Sequence, residues 1–162
     1  ASIVRYLPTA YAAGSNLEAR GQLANASFVG GMAFTRAGVG YIHAIAHQLG
    51  GLYHVPHGLA NAIVMPYILD FSKSHCTKQL AELARVSGLS AGSDDALADA
   101  FIARIRSMNE SMQIPATVKQ LKRSDFSKII DRAFAEAHGT YGVPRYMSRA
   151  EATGILEKLL PA

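Results

Sequence analysis

Residues 40–66 read GYIHAIAHQLGGLYHVPHGLANAIVMP, with His43 and His47 four apart and His57 fourteen after His43. The i, i+4 spacing puts His43 and His47 on one face of a helix, about one turn apart. A Gly50-Gly51 stop and a loop through Pro56 then turn the chain into a second helix that begins at His57. The stretch lies inside the 33 residues between Arg36 and Asp70 that contain no Lys, Arg, Asp or Glu. An apolar, uncharged run is expected to be buried. A buried imidazole without a partner costs roughly 2–7 kcal/mol, depending on the reference state, so three at regular spacing point to a site.

Outward from this pair the signals stay helical. Residues 2–13 read as a helix kinked or started at Pro8, and 17–37 as a second helix capped by Asn16 with Glu18 in its first turn. The small residues of that second helix and the lack of charge between Arg20 and Arg36 predict a central core helix. Further helices are expected over 39–49, from His57 to about Phe71 with a kink at Pro66, and over 78–86. Others should cover 94–112 behind Ser93, 117–121, 124–137, and 149–160 behind the capping box Ser148-x-x-Glu151. No alternating strand or Asn-Gly hairpin is visible. The fold class is therefore an all-α bundle of seven to nine helices, read as one all-helical, metal-binding unit over residues 1–162.

Composition excludes several functions. The 162 residues carry 16 Lys+Arg against 12 Asp+Glu, scattered apart from the Lys119, Lys122 and Arg123 group, which reads as a solvated helix face. A nucleic-acid binder would carry a basic stripe, so no nucleic-acid partner is expected. Glycines and prolines break the charge-free window into pieces too short to cross a bilayer, so no membrane partner is expected either. A lone Cys76 argues against a disulfide framework and for a reducing, cytoplasmic setting. The chain lacks an initiator Met and begins in mid-pattern, so it is expected to be a piece of a longer protein.

Two motif readings fail on single positions. HAIAH has zinc-protease spacing, but Ala44 stands where the general-base Glu belongs. Gly38-Val39-Gly40 opens like a nucleotide fingerprint, but His43 replaces its third glycine and no strand precedes it. Imidazole remains the commonest metal ligand, and two on adjoining helices supply half of a four-coordinate site. No Asp or Glu lies between Glu18 and Asp70, so the remaining ligands must come from outside this stretch.

At these residues the sequence resembles the iron-dependent (group III) alcohol dehydrogenase family, in its C-terminal helical domain of dehydroquinate synthase-like fold. The signature G-x-x-H-x-x-x-H-x-x-G, then P-H-G-x-x-N-A, is met by Gly40, His43, His47 and Gly50, then Pro56, His57, Gly58, Asn61 and Ala62. Ala19-Arg20, Ile114-Pro115 and Pro144-Arg145-Tyr146-Met147-Ser148 extend the resemblance along the chain. It implies an oxidoreductase moving hydride between a small alcohol or aldehyde and NAD(H) or NADP(H), with the nucleotide bound mainly by an absent N-terminal domain. It implies Fe²⁺, or Zn²⁺ in some members, held by an Asp and a His of an upstream D-x-x-x-H helix and by His43 and His57. It gives His47 a proton-relay or positioning role. A homodimeric full-length enzyme and an inactive isolated fragment are expected with it. The D-x-x-x-H motif is missing here, because the first Asp is Asp70.

Alternatives are a helical interaction domain with purely structural histidines, a metal-free maleylacetate reductase, which the intact His43/His57 pair disfavours, and a zinc-keeping glycerol dehydrogenase-like relative. His54 is left to face either substrate or solvent. Phe34, Tyr53 and Tyr141 are expected in the core, and His75 and His138 at the surface.

Overall fold

The computed structural model describes residues 1–161. Among them are seven α-helices and no strand: α1 (Ser2–Ala12), α2 (Leu17–Ala37), α3 (Tyr41–Tyr53), α4 (His57–Val86), α5 (Asp94–Ser111), α6 (Phe126–Ala137) and α7 (Arg149–Leu159), with a 3₁₀ turn at Arg123–Asp125. The all-α expectation holds. The chain divides into two compact units, residues 1–38 with 76–113 and residues 39–75 with 114–162.

The second unit carries the main core. Along α3, Tyr41, Ala44, Ile45, Gln48 and Leu49 are buried, a stripe at helical spacing. They pack with Ile63, Val64 and Ile68 of α4, Ile129, Ile130 and Ala133 of α6, and Ile155, Leu156 and Leu159 of α7. Each large side chain fully buried this way stabilises the unit by about 1.5–3 kcal/mol. Helix α7 starts on the expected capping box: Ser148 accepts the Glu151 amide while Glu151 accepts the Ser148 amide.

Several boundaries differ from the sequence reading. Helix α3 runs through Gly50-Gly51 and ends at Tyr53, where His54 takes the left-handed cap conformation at φ 56° and donates its amide to Gly50 O at 2.9 Å. A Cβ at Gly50 would lie 3.4 Å from the Val55 carbonyl oxygen, so the loop passes within van der Waals contact of the helix there. The two helices expected around Pro66 and over 78–86 are joined into α4, which breaks at Cys76 (φ −140°, ψ 28°), where the two units divide. Pro66 lies inside α4. No helix forms over 117–121. There the Val118 amide donates to Leu159 O at 2.8 Å, and this bond to the end of α7 replaces a helical one.

In the first unit, Asn16 caps α2 as expected by accepting the Ala19 amide at 3.0 Å. Helix α2 is not a core helix, however. Only Ala19 is buried, and Leu17, Phe28 and Phe34 are 82%, 70% and 55% exposed. The helix packs against α1, and its other faces meet no element of the described residues closely enough to bury them. Absence of charge allows burial but supplies no partner. Phe34, expected in a core, is corrected with it. Ala81, Ala84 and Leu97 form a small separate core between the second half of α4 and α5.

Candidate functional site

The core stripe of α3 fixes where its histidines go. With Tyr41, Ala44, Ile45, Gln48 and Leu49 turned inward, His43 and His47 fall on the opposite side: His43 is half-buried and His47 exposed. His57, the first residue of α4, is also exposed. The charge-free window is therefore buried through its apolar residues, and its imidazoles stand at the edge of that core rather than inside it.

The three rings converge. Centroid separations are 5.8 Å for His43–His47, 5.3 Å for His43–His57 and 5.3 Å for His47–His57, the last pair nearly parallel at 22°. Asn61, one turn along α4, donates its amide nitrogen to His57 O at 2.9 Å, and that nitrogen lies 3.2 Å from His57 Nε2. Its Oδ1 is buried without a hydrogen-bond partner, an acceptor left over beside His57. Burial pushes the His43 imidazole below its ordinary value, and the neighbouring His57 and His47 push it the same way. Both causes favour the neutral imidazole, the form that has a nitrogen lone pair to offer.

A carboxylate that the sequence reading missed completes the group. Glu136, on α6 and 89 positions from His47, accepts from His47 Nδ1 at 2.6 Å. It also accepts from the Tyr141 hydroxyl at 2.8 Å and the Gln48 amide at 3.3 Å. Tyr141 is accordingly half-buried with its hydroxyl committed to Glu136. Tyr53 packs on the core and donates to Asp125 Oδ2 at 2.6 Å.

Other candidates fall elsewhere. His54 is exposed beside an open groove of about 480 Å³ lined by Val55, Leu59, Ile63 and Pro115 and not by the clustered rings. His75 is exposed as expected. His138 is not a surface residue: it is half-buried, stacked on Phe134 at 4.3 Å, with Nε2 2.7 Å from the Tyr41 hydroxyl. Its apolar neighbours come from α3 and α6, which no local pattern around residue 138 reveals. Lys119, Lys122 and Arg123 are exposed but lie on a loop and turn rather than a helix face, and Arg123 Nε pairs with Glu157 at 2.8 Å.

The donor chemistry fits part of a metal site. Imidazoles suit iron and zinc alike, and His43 and His57 adjoin one another. Among the described residues no group of three or more His, Cys, Asp or Glu is arranged to hold a metal ion. Among the described residues no helix is long and apolar enough to cross a membrane.

Among the described residues an all-helical fold brings three imidazoles together. The chain belongs to the Fe-containing alcohol dehydrogenase family, matching the model of its C-terminal part over residues 1–160. It is 41% identical over 131 residues to 1-propanol dehydrogenase PduQ of Salmonella typhimurium, covering 77% of this chain and 35% of that protein. It is 36% identical over 160 residues to 1,3-propanediol dehydrogenase of Klebsiella pneumoniae, covering 96% of this chain and 41% of that one. The crystal structure of a 1,3-propanediol oxidoreductase superposes with a TM-score of 0.91 at 35% identity, over 98% of this chain and 42% of that one. The chain thus spans about two fifths of the length of these relatives.

Proposed function

We propose that this chain is the metal-holding helical part of an NAD(P)-dependent alcohol dehydrogenase that interconverts a small alcohol and its aldehyde. In this reading residues 1–162 form one functional domain of a longer, cytoplasmic, homodimeric enzyme. His43 and His57 supply two ligands to Fe²⁺ or Zn²⁺, and the other ligands and most of the nucleotide site come from outside the chain. The observation that carries the reading is the convergence of His43, His47 and His57 within 5.8 Å in a chain of this family.

When bound, the metal would polarise the alcohol oxygen and ease hydride departure to the nicotinamide. The chain's own residues do the rest. Burial favours the neutral form of His43, which offers a lone pair. His57 stands at the first turn of α4, where the Asn61 amide, bonded to His57 O, keeps the turn closed. His47, backed by Glu136, is placed to hold or move the alcohol proton.

Replacing His43 or His57 by Ala in the full-length protein tests this reading. Loss of bound metal and of dehydrogenase activity, with an unchanged far-UV circular dichroism spectrum, is the expected result. Normal metal content and activity in both variants would support a helical interaction domain with structural histidines instead.

A further inference from the structure

We infer that Glu136 is a positioning residue for His47: its carboxylate selects the imidazole tautomer protonated at Nδ1 and fixes the ring, leaving Nε2 as the nitrogen that meets the substrate proton. The part played by the oriented ring rests on the dehydrogenase reading; the orientation itself does not.

The argument is one of donors and acceptors. A carboxylate can only accept, so the 2.6 Å contact between Glu136 Oε1 and His47 Nδ1 requires the proton on Nδ1. Which imidazole nitrogen carries the proton is set by the bond the other ring nitrogen makes or lacks. A neutral His47 bonded to Glu136 is therefore a base at Nε2. Without Glu136 the ring could turn and present either nitrogen.

Glu136 is itself held in place. The Tyr141 hydroxyl donates to the same Oε1 at 2.8 Å, and Gln48, buried in the α3 stripe one residue after His47, donates to Oε2 at 3.3 Å. The Tyr141 hydroxyl is held above its usual value, first by this bond, so it stays a donor. Glu136 sits one position before the buried Ala137 at the end of α6, so the packing of α6 on α3 fixes its backbone. Three donors from two directions leave the carboxylate little freedom. The same logic governs the buried aspartate of a serine-protease triad, whose loss leaves the wrong tautomer.

The first test needs neither metal nor substrate. In the 162-residue chain, ¹⁵N spectra of the imidazoles are recorded in the alkaline range, where an imidazole is neutral. His47 is expected as the Nδ1–H form. Glu136→Leu should lose that signature. Glu136→Gln keeps an acceptor oxygen and can satisfy Gln48 by an amide flip, so it should retain the signature. An Nε2–H form of His47 in the unsubstituted chain would overturn the proposal, as would an unchanged tautomer in both variants.

The second test uses the full-length enzyme. Glu136→Leu should lower kcat by at least about tenfold, the low end of the loss seen when the partner of a metal-ligating imidazole is removed, with the larger loss of a protease triad as the upper bound. KM and metal content should hold, and Glu136→Gln should lose less. An unaltered kcat in Glu136→Leu with a shifted tautomer would remove the catalytic part of the proposal. Failure of the dehydrogenase reading is separate: it would appear as metal retained in the His43→Ala and His57→Ala variants, whatever the tautomer of His47.

Discussion

The Tyr41 hydroxyl connects the start of α3 to the two segments that close over it, and Tyr41→Phe isolates its worth. Tyr41 is 2% exposed. Its oxygen accepts the Met147 amide at 2.9 Å and lies 2.7 Å from His138 Nε2. A second hydrogen bond joins the hydroxyl to His138 Nε2. Burial raises the Tyr41 hydroxyl above its usual value, with the Met147 bond pulling the other way, so it remains protonated.

Phe keeps the ring and its edge contacts with Phe71 and His138 at 6.3 and 5.8 Å. Only the polar bonds go. A buried amide left without a partner costs about 1–3 kcal/mol, whereas half-buried His138 can recover a water. The expected loss is about 2 kcal/mol, or roughly 4–8 °C in Tm for a chain of this length.

Urea unfolding followed by near-ultraviolet circular dichroism measures that loss. A double-mutant cycle with His138→Phe isolates the hydroxyl–imidazole bond, with a coupling of about 0.5–1.5 kcal/mol expected. Additivity of the two substitutions within about 0.3 kcal/mol, or a Tyr41→Phe variant as stable as the unsubstituted chain, would refute the assignment of the Tyr41 hydroxyl as a bridging group.

Two further outcomes follow from the same geometry. Glu151, Glu157 and Asp131 are held below their ordinary values of 4.5, 4.5 and 3.8, respectively by the Ser148 amide, by Arg123 and by Arg149. A depressed folded value means the unfolded state binds protons first. The stability these groups supply is therefore complete above about pH 4.5 and is lost as pH falls through the folded values. Ser148→Ala keeps the amide and loses only the hydroxyl, so it should cost about 1 kcal/mol, whereas Glu151→Gln should flatten part of that acid limb; an acid-unfolding curve unchanged in Glu151→Gln would contradict Glu151 as one of its sources. On the proposed reading only His43 and His57 of this chain are ligands, so the 162-residue chain given Fe²⁺ should reduce no aldehyde with NADPH and oxidise no alcohol with NADP⁺. Clear turnover would refute the two-ligand arrangement.

Legibility in the sequence followed the range of the physics. Asn16, Ser93 and Ser148 each act on an amide three residues ahead, so all three caps could be placed without a structure. His43 and His47 share a face because a helix repeats every 3.6 residues, and the return of His57 beside them needs only a short turn. The expected Gly50-Gly51 stop differs from the observed end of α3 because glycine tolerates a helix as well as ending one, and the left-handed cap falls instead on His54, a residue with no local signal for it. The buried appearance of α2 failed for a related reason: apolar composition measures what a helix tolerates and does not name what covers it.

The sequence by itself determined an all-helical chain, the pairing of His43 with His47 and His57, and the motif that marks the family. These rest on periodicity, caps and spacing, all local to a few turns. The tertiary structure alone decided that the imidazoles lie at the rim of the core, that His138 is held by Tyr41, and that Glu136 stands behind His47. Each depends on which helices pack together, and a carboxylate 89 residues away has no local signal for the nitrogen it will meet.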